Sequence, residues 1–333
     1  PGMNRIFEEF LLHKSANDGC QDRTITAYRD TLERFEEWLN GKDPLNLTQD
    51  ELMVFTGPYL HKKGLKAVSR KPHISCLREF YTYAAALRLV PSNLSDGLSY
   101  PKTGRPLPRV MTLDNAEKLM WQPDLSTFEG VRDAAIISVL IGCGLRISGV
   151  AALNRSNLIT AIDRGEPRLM IRTTEKGDKT RQLPIPREAE MLIRVYLEHP
   201  DLHSIDTLLP DGDHVLFVTT GNRNCPAYLY HGERRRFSTR GLRKMMRKHG
   251  EDAGIDPAQL HPHALRHLYG TELIESDVSQ SITQDLLGHA DPKSTKIYVH
   301  LATRKLFHEV DRANPLSKIK SPVSDLLGRL DKR

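Results

Sequence analysis

Cysteine is scarce and scattered in this 333-residue chain: Cys20, Cys76, Cys143 and Cys225 show no CxxC or CxxH spacing. That pattern indicates neither a disulfide framework nor a zinc site, and the four thiols read as reduced, in a cytoplasmic protein. Long hydrophobic runs are also missing. A bilayer span needs roughly 20 apolar residues, and the best candidate, Ala134 to Ile141, gives way to Gly142-Cys143-Gly144 and then a charge. It reads as a buried helix. The opening Pro1-Gly2-Met3-Asn4 has neither the basic start nor the apolar core of a signal peptide. Pro1-Gly2 reads as the remnant of an expression tag, with Met3 as the natural start. There is no internal repeat and no low-complexity segment.

What is present fits a globular protein with room for two domains. Hydrophobic residues make up 39% and charged residues 27%, with a net charge of +6. A mild basic excess permits nucleic-acid binding without requiring it. Its distribution says more. His61 to Arg78 holds Lys62, Lys63, Lys66, Arg70, Lys71 and Arg78 with no acid. Arg234 to Lys248 holds Arg234, Arg235, Arg236, Arg240, Arg243, Lys244, Arg247 and Lys248, again with no acid. A single basic run is as well explained by a solvated helix face. Two of them, one in each half, favour a polyanion gripped from two sides.

The first hundred residues read as helical. Ile25, Tyr28, Leu32, Phe35 and Leu39 recur at three- and four-residue steps, with Asp22 or Thr24 to open the helix and Gly41 to end it. Leu47-Thr48-Gln49-Asp50-Glu51 has the form of a capped helix start, and a further helix runs from near Ser69 to a stop before Pro91. Residues 101–109, rich in proline and devoid of apolar periodicity, form a semi-rigid basic linker and mark the domain boundary. The second half mixes types. Helices are expected at Thr112-Leu113-Asp114, at Arg132 to Ile141 and near Arg187 to Leu197. Arg168 to Thr173 and Thr180 to Ile185 read as a hairpin around Glu175-Lys176-Gly177-Asp178, and Val215 to Val218 as a third strand. Helices then dominate to about Asp311. The tail, 313–333, carries Val323, Leu326, Leu327 and Leu330 on one stripe, beyond Pro315 and Pro322, and needs a surface to dock on.

The most informative stretch is His263-Ala264-Leu265-Arg266-His267, at a helix start after Pro262. Spacing of three and four puts the two histidines and the arginine on one face. A helix N-terminus offers free N–H groups and the positive end of the macrodipole to an anion. Arg266 would add a fork matched to phosphate oxygens. On this fragment alone three readings stay open, in this order: a capped helix with satisfied polar groups, a phosphate site, and a metal site. The last lacks the glutamate that a zinc-protease helix carries after its first histidine; Ala264 stands there.

Further residues reorder those readings. Leu286-Leu287-Gly288-His289 ends one helix, and Ser294-Thr295-Lys296-Ile297-Tyr298 starts another, with Tyr298 nine residues after His289. Upstream lie Gly142-Cys143-Gly144-Leu145-Arg146-Ile147-Ser148 and the turn lysine Lys176. Together these resemble the tyrosine recombinase (phage integrase) family: a first arginine in a GLRxSE-like box, a β-hairpin lysine, HxLRH, LGH, and a tyrosine in a TxxIYxH-like box. Each box alone is weak; in this order and spacing, over roughly residues 110–310, they are specific.

The resemblance implies a mainly α fold with a small β-sheet. Residues 1–100 would be a helical core-binding domain, 110–312 a mixed α/β catalytic domain, and 313–333 a tail exchanged between subunits. Together the domains would close a C-shaped clamp on double-stranded DNA. It implies a site-specific recombinase in which Tyr298 attacks a phosphodiester and leaves a 3′-phosphotyrosine, with four protomers at synapsis. Arg146 and Arg266 would stabilise charge on the phosphate oxygens, which makes a metal or nucleotide cofactor unnecessary. Lys176 would protonate the leaving 5′ oxygen, His263 would accept or share the tyrosine proton, and His289 would hydrogen-bond the phosphate. His267 is expected to support the site, and His261 and His300 to be structural. Tyr269 and Tyr228 compete with Tyr298, and Lys179 competes with Lys176. Lys62, Lys63, Lys66, Arg70, Lys71, Arg240, Arg243, Lys244 and Arg247 are the candidate DNA contacts, with Ser238 to Lys248 facing the major groove and the backbone.

One position departs from the family pattern. Gly149 stands where an acid usually follows the first arginine by three residues, which leaves Arg146 less constrained. Two other functions are weighed: a type IB topoisomerase-like relaxing enzyme, and a DNA-binding regulator with impaired catalysis. The separate helical domain and the tail argue against the first, and the full Arg-Lys-His-Arg-His-Tyr set against the second. Leu268-Tyr269-Gly270-Thr271 and Asp291-Pro292-Lys293-Ser294 depart from the pattern expected of housekeeping Xer-type dimer resolvases. That leaves a plasmid, transposon or other mobile element as the expected home.

Overall fold

Amphipathic periodicity and local capping account for most of the helices. The computed structural model describes residues 3–104, 110–175, 179–221, 224–288 and 299–330. The chain forms two compact units, residues 1–106 and 107–333. Among the described residues no helix is long and apolar enough to cross a membrane.

The first unit is helical throughout. It comprises α1 (Arg5–Ala16), α2 (Asp22–Leu39), α3 (Gln49–Val54), the short α4 (Leu60–Lys62) and α5 (Ala67–Ala86). In α2 the expected stripe turns inward, with Leu32, Phe35 and Leu39 buried. Asn40 in the left-handed conformation ends that helix, followed by Gly41, also at positive φ. Thr48 caps α3 through a reciprocal capping box with Glu51, satisfying two backbone donors that the helix start would leave unpaired. Phe7, Phe10, Phe35, Phe55 and Phe80 meet in the core, mostly tilted or edge-to-face, an arrangement that suits the ring quadrupoles.

The second unit is built on α7 (Phe128–Gly142), a helix buried nearly all round, as its unbroken apolar run foretold. It follows α6 (Leu113–Met120), capped by Thr112, and precedes the short α8 (Ile147–Ala151). A three-stranded antiparallel sheet comes next: β1 (Leu158–Asp163), β2 (Glu166–Glu175) and β3 (Lys179–Pro184) in that order, with Thr173 opposite Arg181 and Glu175 opposite Lys179. The β2–β3 hairpin was expected. The third strand was not where the sequence suggested. Val215 to Val218 is buried, but it pairs through isolated bridges to Asn154 and Arg236 and single backbone hydrogen bonds to Thr207, Leu153 and Phe237 instead of a continuous ladder. The third strand is instead β1, whose mixed Leu-Ile-Thr-Ala-Ile-Asp pattern gave no clean alternation.

The helices α9 (Arg187–Leu197), α10 (Pro200–His203), α11 (Thr239–Asp252), α12 (Pro262–Glu275), α13 (Gln280–Leu287) and α14 (Val299–Ala313) complete the unit. Buried ion networks join them. Arg168 on β2, 3% exposed, bonds Glu190 of α9 at 3.0 Å and Asp311 of α14 at 2.8 and 3.0 Å. Its guanidinium also lies over the Phe307 ring. Asp133 of α7 receives Arg132 and, at 2.8 Å, His249 Nε2 of α11.

In this single chain the tail lies on its own unit. Leu316, Ile319 and Val323 are buried in the core, Trp121 Nε1 donates to the Lys320 carbonyl at 3.1 Å, and α15 (Ser324–Leu330) packs on α9.

Candidate active site

The first arginine is placed by a tight backbone turn. Helix α7 ends at Gly142, and Gly144 adopts φ +60° before Arg146 opens α8 as its N-cap residue. A side chain at Gly144 would meet the Tyr269 ring within 2.9 Å at Cγ and Cε1, besides the left-handed backbone. Glycine is required there on both grounds. Arg146 itself is exposed.

Helix α12 begins at Pro262, where the missing N–H costs nothing. His261 caps it, its Nδ1 accepting from the His263 N–H at 3.3 Å, and the two imidazoles stack. This is the structural role expected of His261. Alternation around the helix then separates the motif's side chains. His263 and His267, four apart, are both exposed, whereas Arg266 turns inward and is 8% exposed.

That inward turn modifies the expected picture of one common face. The Arg266 guanidinium donates from Nη1 to the Gly144 carbonyl at 2.7 Å and from Nη2 to the Leu287 carbonyl. It thereby bridges the turn before Arg146 and the last residue of α13. Its positive charge also sits at a helix C-terminus, where the macrodipole is negative.

His263 senses these charges. Loss of water on burial lowers its pKa below the usual 6.5, and His261, His267, Arg146 and Arg266 lower it further by repulsion. The structure therefore brings Arg146, Arg266, His263 and His267 within one electrostatic neighbourhood and favours a neutral imidazole at His263. Of the remaining expected residues, Lys176, His289 and Tyr298 lie outside the described residues, as do the side chains of Lys179 and His300. What flanks them is described: α13 stops at Gly288, φ 73°, just before His289, and α14 opens at Val299, just after Tyr298.

Tyr269, one competitor for nucleophile, is 1% exposed, and burial pushes its phenol up, away from ionisation. A group packed against Gly144 in the core cannot reach a phosphate. Tyr228 is 80% exposed on a short turn at Ala227–Leu229. Gly149 is half-buried, with no described residue within 4 Å of where a Cβ would stand. Among the described residues no three His, Cys, Asp or Glu side chains are grouped to hold a metal.

The two basic segments prove unequal. On α11, Arg240, Arg243, Lys244, Arg247 and Lys248 all project to solvent, while Leu242, Met245 and Met246 face inward. Arg235 and Arg236, counted with them in the sequence, are instead structural. Arg235 lies over the Tyr230 ring, and Arg236 pairs with Glu233 and donates to the Ala151 and Leu153 carbonyls. In the first unit Lys62, Lys63 and Lys66 are exposed. Arg70 donates to the Gly57 carbonyl and Lys71 to Thr103 Oγ1, so both are partly committed.

Two arginines were missed. Arg168, described above, anchors α14, and Arg181 on β3 donates from Nη1 to the carbonyls of Asp285 and Leu286, at 3.2 and 3.1 Å. A charged residue inside a strand is the only sequence signal either one gave.

The phage integrase family model matches residues 109–305, and the model for that family's N-terminal SAM-like domain matches residues 7–87. The chain belongs to the phage integrase family. It is a tyrosine recombinase, an enzyme that breaks and rejoins DNA strands. Curated relatives include tyrosine recombinase XerC of Alcanivorax borkumensis, 30% identical over 92% of both chains. Tyrosine recombinase XerD of Proteus mirabilis is 31% identical over 90% of both. The Xer names run against the expectation that this recombinase stands apart from Xer-type enzymes. Among solved structures, a lambda integrase dimer bound to a COC′ core site has a TM-score of 0.61 at 16% identity, covering 87% of this chain and 96% of that one. XerH recombinase bound to its difH substrate gives 0.58 at 20%, covering 90% and 81%. These likenesses are of fold.

Proposed function

We propose that this enzyme is a site-specific DNA recombinase whose nucleophile is Tyr298. The observation that carries the reading is the shared neighbourhood of Arg146, Arg266 and a His263 held towards its neutral form, in a unit that belongs to this family. Tyr298 Oη attacks phosphorus in line, forming the O–P bond of a 3′-phosphotyrosine while the bond to the 5′ oxygen breaks. A neutral His263 takes the phenolic proton, and Lys176 gives a proton to the departing oxygen. Arg146, Arg266 and His289 stabilise the charge that builds on the non-bridging oxygens. A DNA 5′-hydroxyl reverses the sequence and releases the tyrosine, so the joined bond needs no nucleotide triphosphate and, with two guanidinium groups on the phosphate, no metal.

The partner we propose is double-stranded DNA, held by the exposed face of α11 and by Lys62, Lys63, Lys66, Arg70 and Lys71, with residues 101–109 linking the two domains. Exposed charge of this kind gives affinity through phosphates; base specificity is a separate matter. Exchange between two duplexes calls for a tetramer, with 313–333 passed to a neighbour in place of the docking seen in the single chain. The setting is a prokaryotic cytoplasm. The proposed role is integration, excision or resolution for a plasmid or other mobile element. A second reading, an Xer-type dimer resolvase, is supported by the XerC and XerD relatives, and the DNA flanking the gene discriminates between them.

A nicked suicide duplex carrying the target site tests the chemistry. The expected result is a covalent protein–DNA adduct, absent in Tyr298→Phe. An adduct that persists in that variant refutes the assignment.

A further inference from the structure

We infer that Arg181 is a positioning residue for the general acid, an inference that rests on the proposed role of Lys176. The last carbonyls of a helix have no partner within it. At the end of α13 the Gly288 N–H reaches the carbonyls of Gln284 and Asp285, and side chains add further donors to the final turn. Two arginines supply them from different elements: Arg181 of β3 takes Asp285 and Leu286, and Arg266 of α12 takes Leu287. Both cations also meet the negative end of the helix dipole.

The consequence follows from where Arg181 lies on the hairpin. It pairs with Thr173 in the β2–β3 ladder, two rungs from the Glu175–Lys179 pair that closes the turn. At about 3.4 Å per residue, the latch is only on the order of 10 Å along the strand from the turn carrying Lys176. The same carbonyl turn immediately precedes His289. Arg181 therefore ties the strand that leads out of the Lys176 turn to the helix end that precedes His289 in the sequence. Without it the two ends of the tie fare differently. Helix α13 keeps Arg266 and the buried Leu286, whereas the tie from the hairpin strand to that helix end is lost.

The test compares cleavage of two suicide duplexes under single-turnover conditions: one with an ordinary 5′-bridging oxygen, the other with sulfur in its place. A thiolate leaves without protonation, so the sulfur substrate dispenses with the general acid. Arg181→Ala is expected to slow cleavage of the oxygen substrate about tenfold to a hundredfold, the scale of a small misplacement of a reacting group. The sulfur substrate should recover most of that loss, as it should for Lys176→Ala. Equal slowing on both substrates, beside a rescued Lys176→Ala, would overturn the positioning role and leave Arg181 a helix cap. If neither Lys176→Ala nor Lys179→Ala is rescued, the general-acid reading itself fails, and the inference with it. Should Arg181→Ala not fold, Arg181→Lys, which keeps a donor for one carbonyl, carries the test: a smaller, sulfur-rescued loss supports the inference, and equal loss on both substrates overturns it.

Discussion

Removing the Arg168 guanidinium should be among the most damaging single changes in the second unit. Arg168 is 3% exposed and faces three carboxylates: Glu190 at 3.0 Å, Asp311 at 2.8 Å and Asp163 at 3.8 Å. It also donates to the Ile185 carbonyl at 3.0 Å. Arg194 on Glu190 and the half-exposed Arg187, between Asp311 and Glu166, add further cations to the cluster. Arg168→Met keeps the length and the apolar stem but takes the guanidinium from Asp163 and from one oxygen of Glu190, each residue 7% exposed, with Arg194 left on the other Glu190 oxygen. Removing one partner of a buried pair costs about 3–5 kcal/mol, because the remaining charge stays buried without compensation. For a unit of this size that corresponds to a fall in Tm of about 6–20 °C. Only two tryptophans are present, and Trp38 lies in the first unit and Trp121 in the second. In a Trp38→Phe background, Trp121 fluorescence therefore reports on the unit that holds Arg168. Urea titrations of that background with and without Arg168→Met give the difference directly. A loss below about 1 kcal/mol, the level of a surface pair, would show that the buried network does not hold α14.

Three other outcomes are expected. Gly144→Ala adds a left-handed alanine, about 1–2 kcal/mol, and an overlap with Tyr269 worth about 1–3 kcal/mol; unchanged urea stability would refute the assigned turn. His263 should titrate below 6.5 by NMR, so cleavage stays active as pH falls to that value and declines only beneath it; Arg146→Gln should raise the midpoint by removing a repelling charge. For stability the sign is the same: the unfolded imidazole binds its proton first, so stability falls as pH drops below 6.5. A midpoint at or above 6.5 would contradict this. Gly149→Ala should stabilise by roughly 0.5–1 kcal/mol, since no described residue lies within 4 Å of the new methyl and glycine is a poor helix former, and Gly149→Glu should raise the cleavage rate if an acid near Arg146 helps to orient it; slower cleavage by the glutamate variant would refute that.

Much of this recombinase could be read from its residues in order, because the signals are local. Helices follow from periodicity and caps, as in α2 and at Thr48, and the stop at Gly288 from glycine's access to positive φ. The family boxes are short runs around Arg146, Lys176, Arg266, His289 and Tyr298, whose order along the chain carries the chemistry. Position in space is another matter. That Arg266 would turn inward to the carbonyls of Gly144 and Leu287, 122 and 21 residues away, depends on three elements meeting. The same holds for Arg168, which joins β2 to α9 and α14, and for the division of one basic run into the inward Arg235 and Arg236 and the solvated face of α11. The strand at Leu158–Asp163 likewise depended on a partner, because a ladder is a property of two segments. The sequence by itself determined the family boxes and their order; which of their side chains turn into the frame and which reach solvent was decided only by long-range packing, where an arginine's partners are carbonyls and carboxylates distant along the chain.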